Sequence, residues 1–205
     1  NIGASSLGFK FNKTESEIQN IISKCSDKLL ETRNKRAQPG KDDKIITSWN
    51  GLMISGFLAG YRITDDTKYL DVAKKSIDFF ENNFEKNDIL HRTFKNNEPK
   101  LNGYLDDYAY MANASIDMFE NTSDPKYLLF ATNLANHLIT HFWDDSTHGF
   151  FFTSDDHEKL IIRPKNNYDL SMPSGNSVAA HVLLRLHYIT QNKQFLEIAQ
   201  KIIES

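Results

Sequence analysis

Asp107 is the residue of this chain best placed for acid–base chemistry. It stands in Asp106-Asp107-Tyr108-Ala109, and the same register recurs upstream as Ser48-Trp49-Asn50-Gly51 and downstream as Ser174-Gly175-Asn176-Ser177. Aligning the blocks puts Trp49, Asp107 and Gly175 at one position, and Asn50, Tyr108 and Asn176 at the next. An aromatic, a carboxylate and two amides around one rim suit a sugar-like ligand. Trp49 would stack on a ring face, Asn50, Tyr108 and Asn176 would contact hydroxyls, and Asp107 would move the proton. Cleaving a glycosidic bond takes two carboxylates, about 5–9.5 Å apart. Asp106 and Asp107 are chain neighbours that point in different directions, so the second carboxylate must come from elsewhere. Asp43 before the first block and Asp169 before the third are the candidates, Asp43 as a catalytic partner and Asp169 as a substrate contact. Arg163, with Lys165, would bind an anionic group of the ligand.

Each residue also has a plainer reading. Ser and Asp are preferred helix N-caps, which accounts for Ser48 and Ser174, and leaves Asp106 to cap while Asp107 is free. Trp49 and Tyr108 suit a core, and Asp43, Asp169, Arg163 and Lys165 suit a solvated surface. His137 and His141 have the spacing of a two-histidine metal site. They lie off the apolar stripe with no acidic third ligand, so no metal is expected there, and no cofactor anywhere. His181 and Arg185 share a face of an otherwise apolar helix. A hydrogen-bonded, buried role is expected for His181.

The three blocks begin three repeats. Thr64, Thr122 and Thr190 follow them, each trailed at the same spacing by Tyr69, Tyr127 or Phe195 and then by Ala73, Ala131 or Ala199. A supersecondary unit repeated in register buries its faces by stacking. The first helix of each unit has few charges and is expected to be buried on most sides. The second is amphipathic, as in the stripe Tyr69, Ala73, Ile77, Phe80 and Phe84. Alternation of this kind requires inner and outer helical layers. The fold class expected is therefore all-α, a partial (α/α) toroid of helical hairpins with short β-hairpins at one rim, forming a single domain over 1–205. Repeats span 47–85, 105–142 and 174–205, after a leading helix over 14–36 that Thr14 and Glu17 open as a capping box. Inner helices are predicted to start near Ser48, Asp106 and Ser174, and outer ones near Asp66, Asp124 and Asn192. Strands are predicted at Ile89–Phe94, and as a hairpin of Gly149–Thr153 with Leu160–Arg163.

Composition narrows the function. Net charge is −3, with 40% hydrophobic and 25% charged residues, so no basic surplus points to nucleic acid. No apolar run is long enough for a bilayer, so no membrane partner is expected. The single Cys25 excludes an internal disulfide and a thiolate-rich zinc site. A reducing, cytoplasmic location fits. The start, Asn1-Ile2-Gly3-Ala4, has no signal-peptide pattern and no initiator Met, so the chain reads as part of something longer.

Lys41-Asp42-Asp43-Lys44-Ile45-Ile46-Thr47-Ser48-Trp49-Asn50-Gly51-Leu52-Met53-Ile54 closely resembles a signature of the thioredoxin-domain-containing, spermatogenesis-associated-like family. Gly103-Tyr104-Leu105-Asp106-Asp107-Tyr108-Ala109 and Pro173-Ser174-Gly175-Asn176-Ser177-Val178-Ala179-Ala180 are similar to its next two blocks, in order. One departure is Asp169-Leu170-Ser171 where the family usually has Asp-Gly-Ala. The resemblance covers most of the chain. It implies an N-terminal thioredoxin-like domain in a longer protein, followed by a toroid similar to six-hairpin glycosidases and N-acylglucosamine epimerases. This chain would carry about half of the toroid, and its unfinished edge would favour self-association.

The leading expectation is a toroid domain that binds or processes a carbohydrate-like substrate in a groove at the inner-helix N-termini. In the full-length protein the chemistry would be glycoside hydrolase-like or sugar epimerase-like. The alternative is a non-catalytic domain of a thioredoxin-like redox protein that binds a protein or peptide.

Overall fold

The computed structural model describes residues 3–87, 89–96, 98–157 and 161–204. Where one domain is expected, the chain divides into two compact units, Asn1–Asp42 and Asp43–Ser205. The first unit is a helical pair, α1 (Ala4–Phe11) and α2 (Glu15–Asn34). The capping box opens α2: Thr14 Oγ1 accepts the Glu17 N–H at 3.2 Å, and Glu17 Oε2 accepts the Thr14 N–H at 2.8 Å. No spacing in the sequence pointed to α1.

The second unit holds three helical hairpins: α3 (Thr47–Thr64) with α4 (Thr67–Asn87), α5 (Leu105–Thr122) with α6 (Pro125–His141), and α7 (Gly175–Thr190) with α8 (Lys193–Glu204). Helix α5 packs between α3 and α7, and each inner helix packs on its own outer one. This is the inner and outer layering of a partial toroid. The repeated threonine is the device that turns each hairpin. Thr64, Thr122 and Thr190 donate to the carbonyls of Gly60, Met118 and Leu186, at 2.7–2.8 Å. The next residue, Asp65, Ser123 or Gln191, takes a left-handed conformation with φ of 55–60°, which stops the helix. Then Asp66, Asp124 and Asn192 each accept the N–H two residues on and open the outer helix.

The repeated alanines, Ala73, Ala131 and Ala199, are fully buried. So are Tyr127 and Phe195, while Tyr69 is part-exposed. Helix α5 is buried along most of its length because neighbours cover it on several sides. Helix α3 corrects the expectation of burial on most sides. Trp49, Leu52 and Met53 are exposed on it, because among the described helices of this unit only α5 flanks it in the inner layer. Close approach of α3 to α5 needs Gly51, where a Cβ would lie 2.8 Å from the Tyr110 carbonyl carbon.

One three-stranded antiparallel sheet stands at the inner-helix starts, ordered β1 (Ile45–Ile46), β2 (His91–Lys95), β3 (Glu98–Asn102). Strand β1 pairs Ile45 with Phe94 and Ile46 with Thr93. Among the described residues the predicted hairpin after α6 is not formed. Phe150 instead makes a lone bridge to Trp143, and the Phe152 N–H donates to the Pro164 carbonyl at 2.8 Å. Ile161 and Ile162 are exposed, and Leu160 lies outside the described residues. The polar loop there is held by side chains rather than by a strand ladder. No helix among the described residues is long and apolar enough to cross a membrane.

Candidate functional site

The three inner helices start side by side, and the consecutive aspartates of α5 join them. Asp107 Oδ1 accepts the Ser48 N–H of α3 at 2.9 Å. Its Oδ2 reaches back to accept the Tyr104 N–H at 2.9 Å, capping its own helix. Asp106 turns the other way and accepts the Gly175 N–H at the start of α7. Gly175 is required there, because a Cβ would fall 2.5 Å from Asp106 Oδ1 and 2.6 Å from Leu105 Cγ. The expected cap is thus corrected. Asp107 is the cap, since a carboxylate at the third helical position can reach back over the first turn. Asp106 is the less enclosed of the two.

Arg92 of β2 completes the Asp107 shell, with Nη1 3.1 Å from both carboxylate oxygens. Asp107 is fully buried. Burial raises its carboxyl above the usual range, and the Arg92 guanidinium and the Tyr104 and Ser48 N–H groups oppose that without reversing it. The Asp106 carboxyl is raised first by burial and then by the charge of Asp107, against Arg92 and the Gly175 N–H. Tyr110, one turn along α5, has its phenol pushed up to about 12, first by burial and then by the carboxylates of Asp106, Asp169 and Asp107. Its hydroxyl donates to the Pro173 carbonyl.

The remaining predicted residues divide into rim and framework. Trp49 is 59% exposed, as the third residue of α3. Asn50 Nδ2 donates to the Ile46 carbonyl at 2.8 Å. Asp169 is exposed and accepts the Ser174 N–H at 2.7 Å. Ser174 does cap α7, its hydroxyl accepting the Ser177 N–H at 3.1 Å. Ser48 is not a cap, because α3 begins one residue earlier.

Three of the candidates hold the frame instead, and a fourth, Asp43, stands in a half-exposed surface ion pair. Tyr108 is buried, its hydroxyl accepts the Leu90 N–H at 3.0 Å, and its ring stacks on His137 at 4.6 Å. Asn176 is buried and exchanges two hydrogen bonds with the Phe150 backbone, at 2.7 and 3.0 Å. Arg163 donates to the Thr153 and His141 carbonyls and lies over the Phe151 ring at 4.3 Å. Asp43 pairs with Lys95 at 2.9 Å. Of the basic and histidine residues weighed beside them, Lys165 is bound to Asp144, and His141 pairs with Asp155 at 2.8 Å.

Below the rim runs a groove of about 510 Å³ between α3, α5 and α7. Its polar wall was not legible as a site. Ser55 Oγ donates to Asp117 Oδ2 at 2.6 Å, Arg185 Nη2 contacts Asp117 Oδ1 at 2.8 Å and Glu120 Oε2 at 2.9 Å, and Arg185 Nη1 donates to Asn113 Oδ1 at 2.8 Å. His181 also lines the groove and is exposed rather than buried. The signal was present as Asn113, Asp117 and Glu120 on one face of a helix that is otherwise largely apolar, but ring burial in a toroid has to be seen before that face becomes a wall.

The chain is 28% identical over 193 residues to an uncharacterised protein of Caenorhabditis elegans, and 27% identical over 199 residues to human Spermatogenesis-associated protein 20. These alignments cover 90% and 92% of this chain but 26% and 25% of those proteins, so the chain spans about a quarter of the length of the curated relatives it matches. Solved structures share the fold. A family 76 glycoside hydrolase from a bovine Bacteroides thetaiotaomicron strain has a TM-score of 0.62 at 21% identity, covering 82% of this chain and 36% of that one. Cellobiose 2-epimerase from Bacillus thermoamylovorans has a TM-score of 0.65 at 13% identity, covering 79% and 44%. An alpha-1,6-mannanase of Salegentibacter sp. HEL1_6, in complex with alpha-1,6-mannotetrose, has a TM-score of 0.59 at 16% identity, covering 84% and 48%. That mannanase is an inactive variant in which two consecutive aspartates are replaced by alanine. Glycosyl hydrolase family 76 matches residues 14–204 of this chain, and the chain belongs to that family.

Proposed function

We propose that this domain binds a carbohydrate where the inner helices start, and that in the full-length protein it acts on a glycosidic bond by acid–base chemistry. The observation that carries the reading is the divergence of Asp106 and Asp107. Both carboxyls have a raised proton affinity, but Asp107 is closed off by four donor contacts while Asp106 is part-exposed, so only Asp106 can hand its proton to a ligand. The acid–base role therefore moves from Asp107 to Asp106. The second carboxylate is Asp169 rather than Asp43, since Asp169 accepts the Ser174 N–H next to Gly175, against which Asp106 lies, while Asp43 pairs with Lys95. Trp49 offers its exposed ring for stacking. The mannanase that loses activity when two consecutive aspartates are replaced supports a role for such a pair, and an α-linked mannan is the first substrate to try.

The test is turnover of alpha-1,6-mannotetraose and of a panel of disaccharides by the full-length protein, with Asp106→Asn beside it. Turnover should fall by at least about 100-fold in the variant, the scale of a lost general acid. Unchanged turnover in Asp106→Asn would overturn the assignment. The full occupation of Asp107 favours a second reading, a peptide-binding domain beside the thioredoxin-like domain that the resemblance implies. That reading expects no sugar turnover and no sugar binding by calorimetry.

A further inference from the structure

The small sheet has a side chain that reaches the centre of the rim. Pairing of β1 with β2 sets β2 against the start of α3, where Thr47 Oγ1 donates to the His91 carbonyl at 2.5 Å. The next residue, Arg92, extends to α5. Its Nη1 lies 3.1 Å from each Asp107 oxygen and 3.4 Å from Ser48 Oγ, and its guanidinium lies 5.1 Å above the Tyr104 ring. One cation thus touches α3, α5 and the residue that precedes α5. We propose that Arg92 is the positioning residue of the rim: it holds Asp107 in place and favours its charged form, and through Asp107 it controls when Asp106 carries a proton. The proposal rests on the reading of Asp106 as the acid–base group.

The physical case is one of charge in a closed space. A fully buried carboxylate takes up a proton unless a cation or several donors hold it ionised. The Ser48 and Tyr104 N–H groups supply dipoles, and Arg92 supplies the full positive charge. Tyr108 stands next to Asp107 on α5 and senses its charge. The groups whose charge or dipole acts on Asp106 are Asp107 on its own helix, Arg92 from β2 and the Gly175 N–H from α7, and the Tyr110 phenol feels both Asp106 and Asp169. Two adjacent carboxylates in one site titrate as a pair. Removing Arg92 leaves that pair holding its last proton to higher pH, whichever oxygen carries it.

The test is a carbon-13 NMR titration of aspartate-labelled protein, which needs no substrate. In Arg92→Met the upper titration step of the pair should move to higher pH. In Arg92→Lys, which keeps a cation, it should return toward its position in the unsubstituted protein. The same upper step in all three proteins would overturn the proposal, whatever happens to their melting temperatures. If Arg92→Met does not fold, Arg92→Gln takes its place: an upper step at higher pH than in Arg92→Lys supports control by charge, the same step in both overturns it, and failure of all three to fold assigns Arg92 to packing. A moved step together with an active Asp106→Asn would sink the acid–base role of Asp106 and leave the control by Arg92 standing.

Discussion

Asp107 on α5 accepts the backbone N–H of Ser48 on α3 at 2.9 Å, across 59 residues of sequence. The bond ties two hairpins together at their inner starts, and Arg92 closes it from a third element. Asp107→Asn keeps the shape but removes the charge that Arg92 faces. We expect a loss of about 2–4 kcal/mol, because a partly buried cation loses its partner. Urea denaturation of the two proteins measures it. A change within about 0.5 kcal/mol would mean that Asp107 does not support the frame.

Asp106 should show itself in the pH dependence of stability. Its folded pKa lies above the unfolded value, so the folded state binds the proton more tightly. Stability contributed by the protonated form is present at low pH and is lost as pH rises from the ordinary carboxylate range, about 3.9, through the raised value. Asp106→Asn removes that loss. Its melting temperature relative to the unsubstituted protein should therefore improve as pH rises from about 4 through the raised value. A constant difference across that range would contradict the assignment.

Arg185 bridges Asp117 and Glu120 on the groove wall. Arg185→Met leaves the buried Asp117 carboxylate without its cation and should cost about 3 kcal/mol. Adding Asp117→Asn should recover part of it, giving a coupling above about 1 kcal/mol in a double-mutant cycle. Additive losses would show that the contact carries no interaction energy.

Gly175→Ala probes the close approach of α7 to α5. The new methyl meets Asp106 Oδ1 and the Leu105 side chain, so either Asp106 swings away or the helices part. We expect a loss of about 1–3 kcal/mol, the scale of an overpacked site. A crystal structure of the variant should show Asp106 detached from the residue 175 N–H. An unchanged Asp106 and an unchanged melting temperature would refute the tight fit.

The repeat spacing determined the hairpins, their turns and the two layers, because each turn is local chemistry: a threonine hydroxyl closing the last helical turn, a left-handed residue, and a cap. Those interactions span a few residues, so a linear reading captures them. The grouping of the blocks was also legible, since equivalent positions of stacked repeats lie on one side. What the sequence could not determine was the direction of each side chain at the rim. Asp106 and Asp107 are the same residue type at adjacent positions, and only the placement of Ser48 and Arg92 on one side and Gly175 on the other decides which is enclosed. Asn176 and Arg163 looked like ligand contacts for the same reason. Their polar atoms needed partners, and it was the packing of the loop after α6 against α7 that supplied backbone groups in place of a ligand. The groove wall of Ser55, Asn113, Asp117 and Arg185 likewise exists only once three helices are brought side by side, because no pair of them is close in sequence except Asn113 and Asp117 on one helical face.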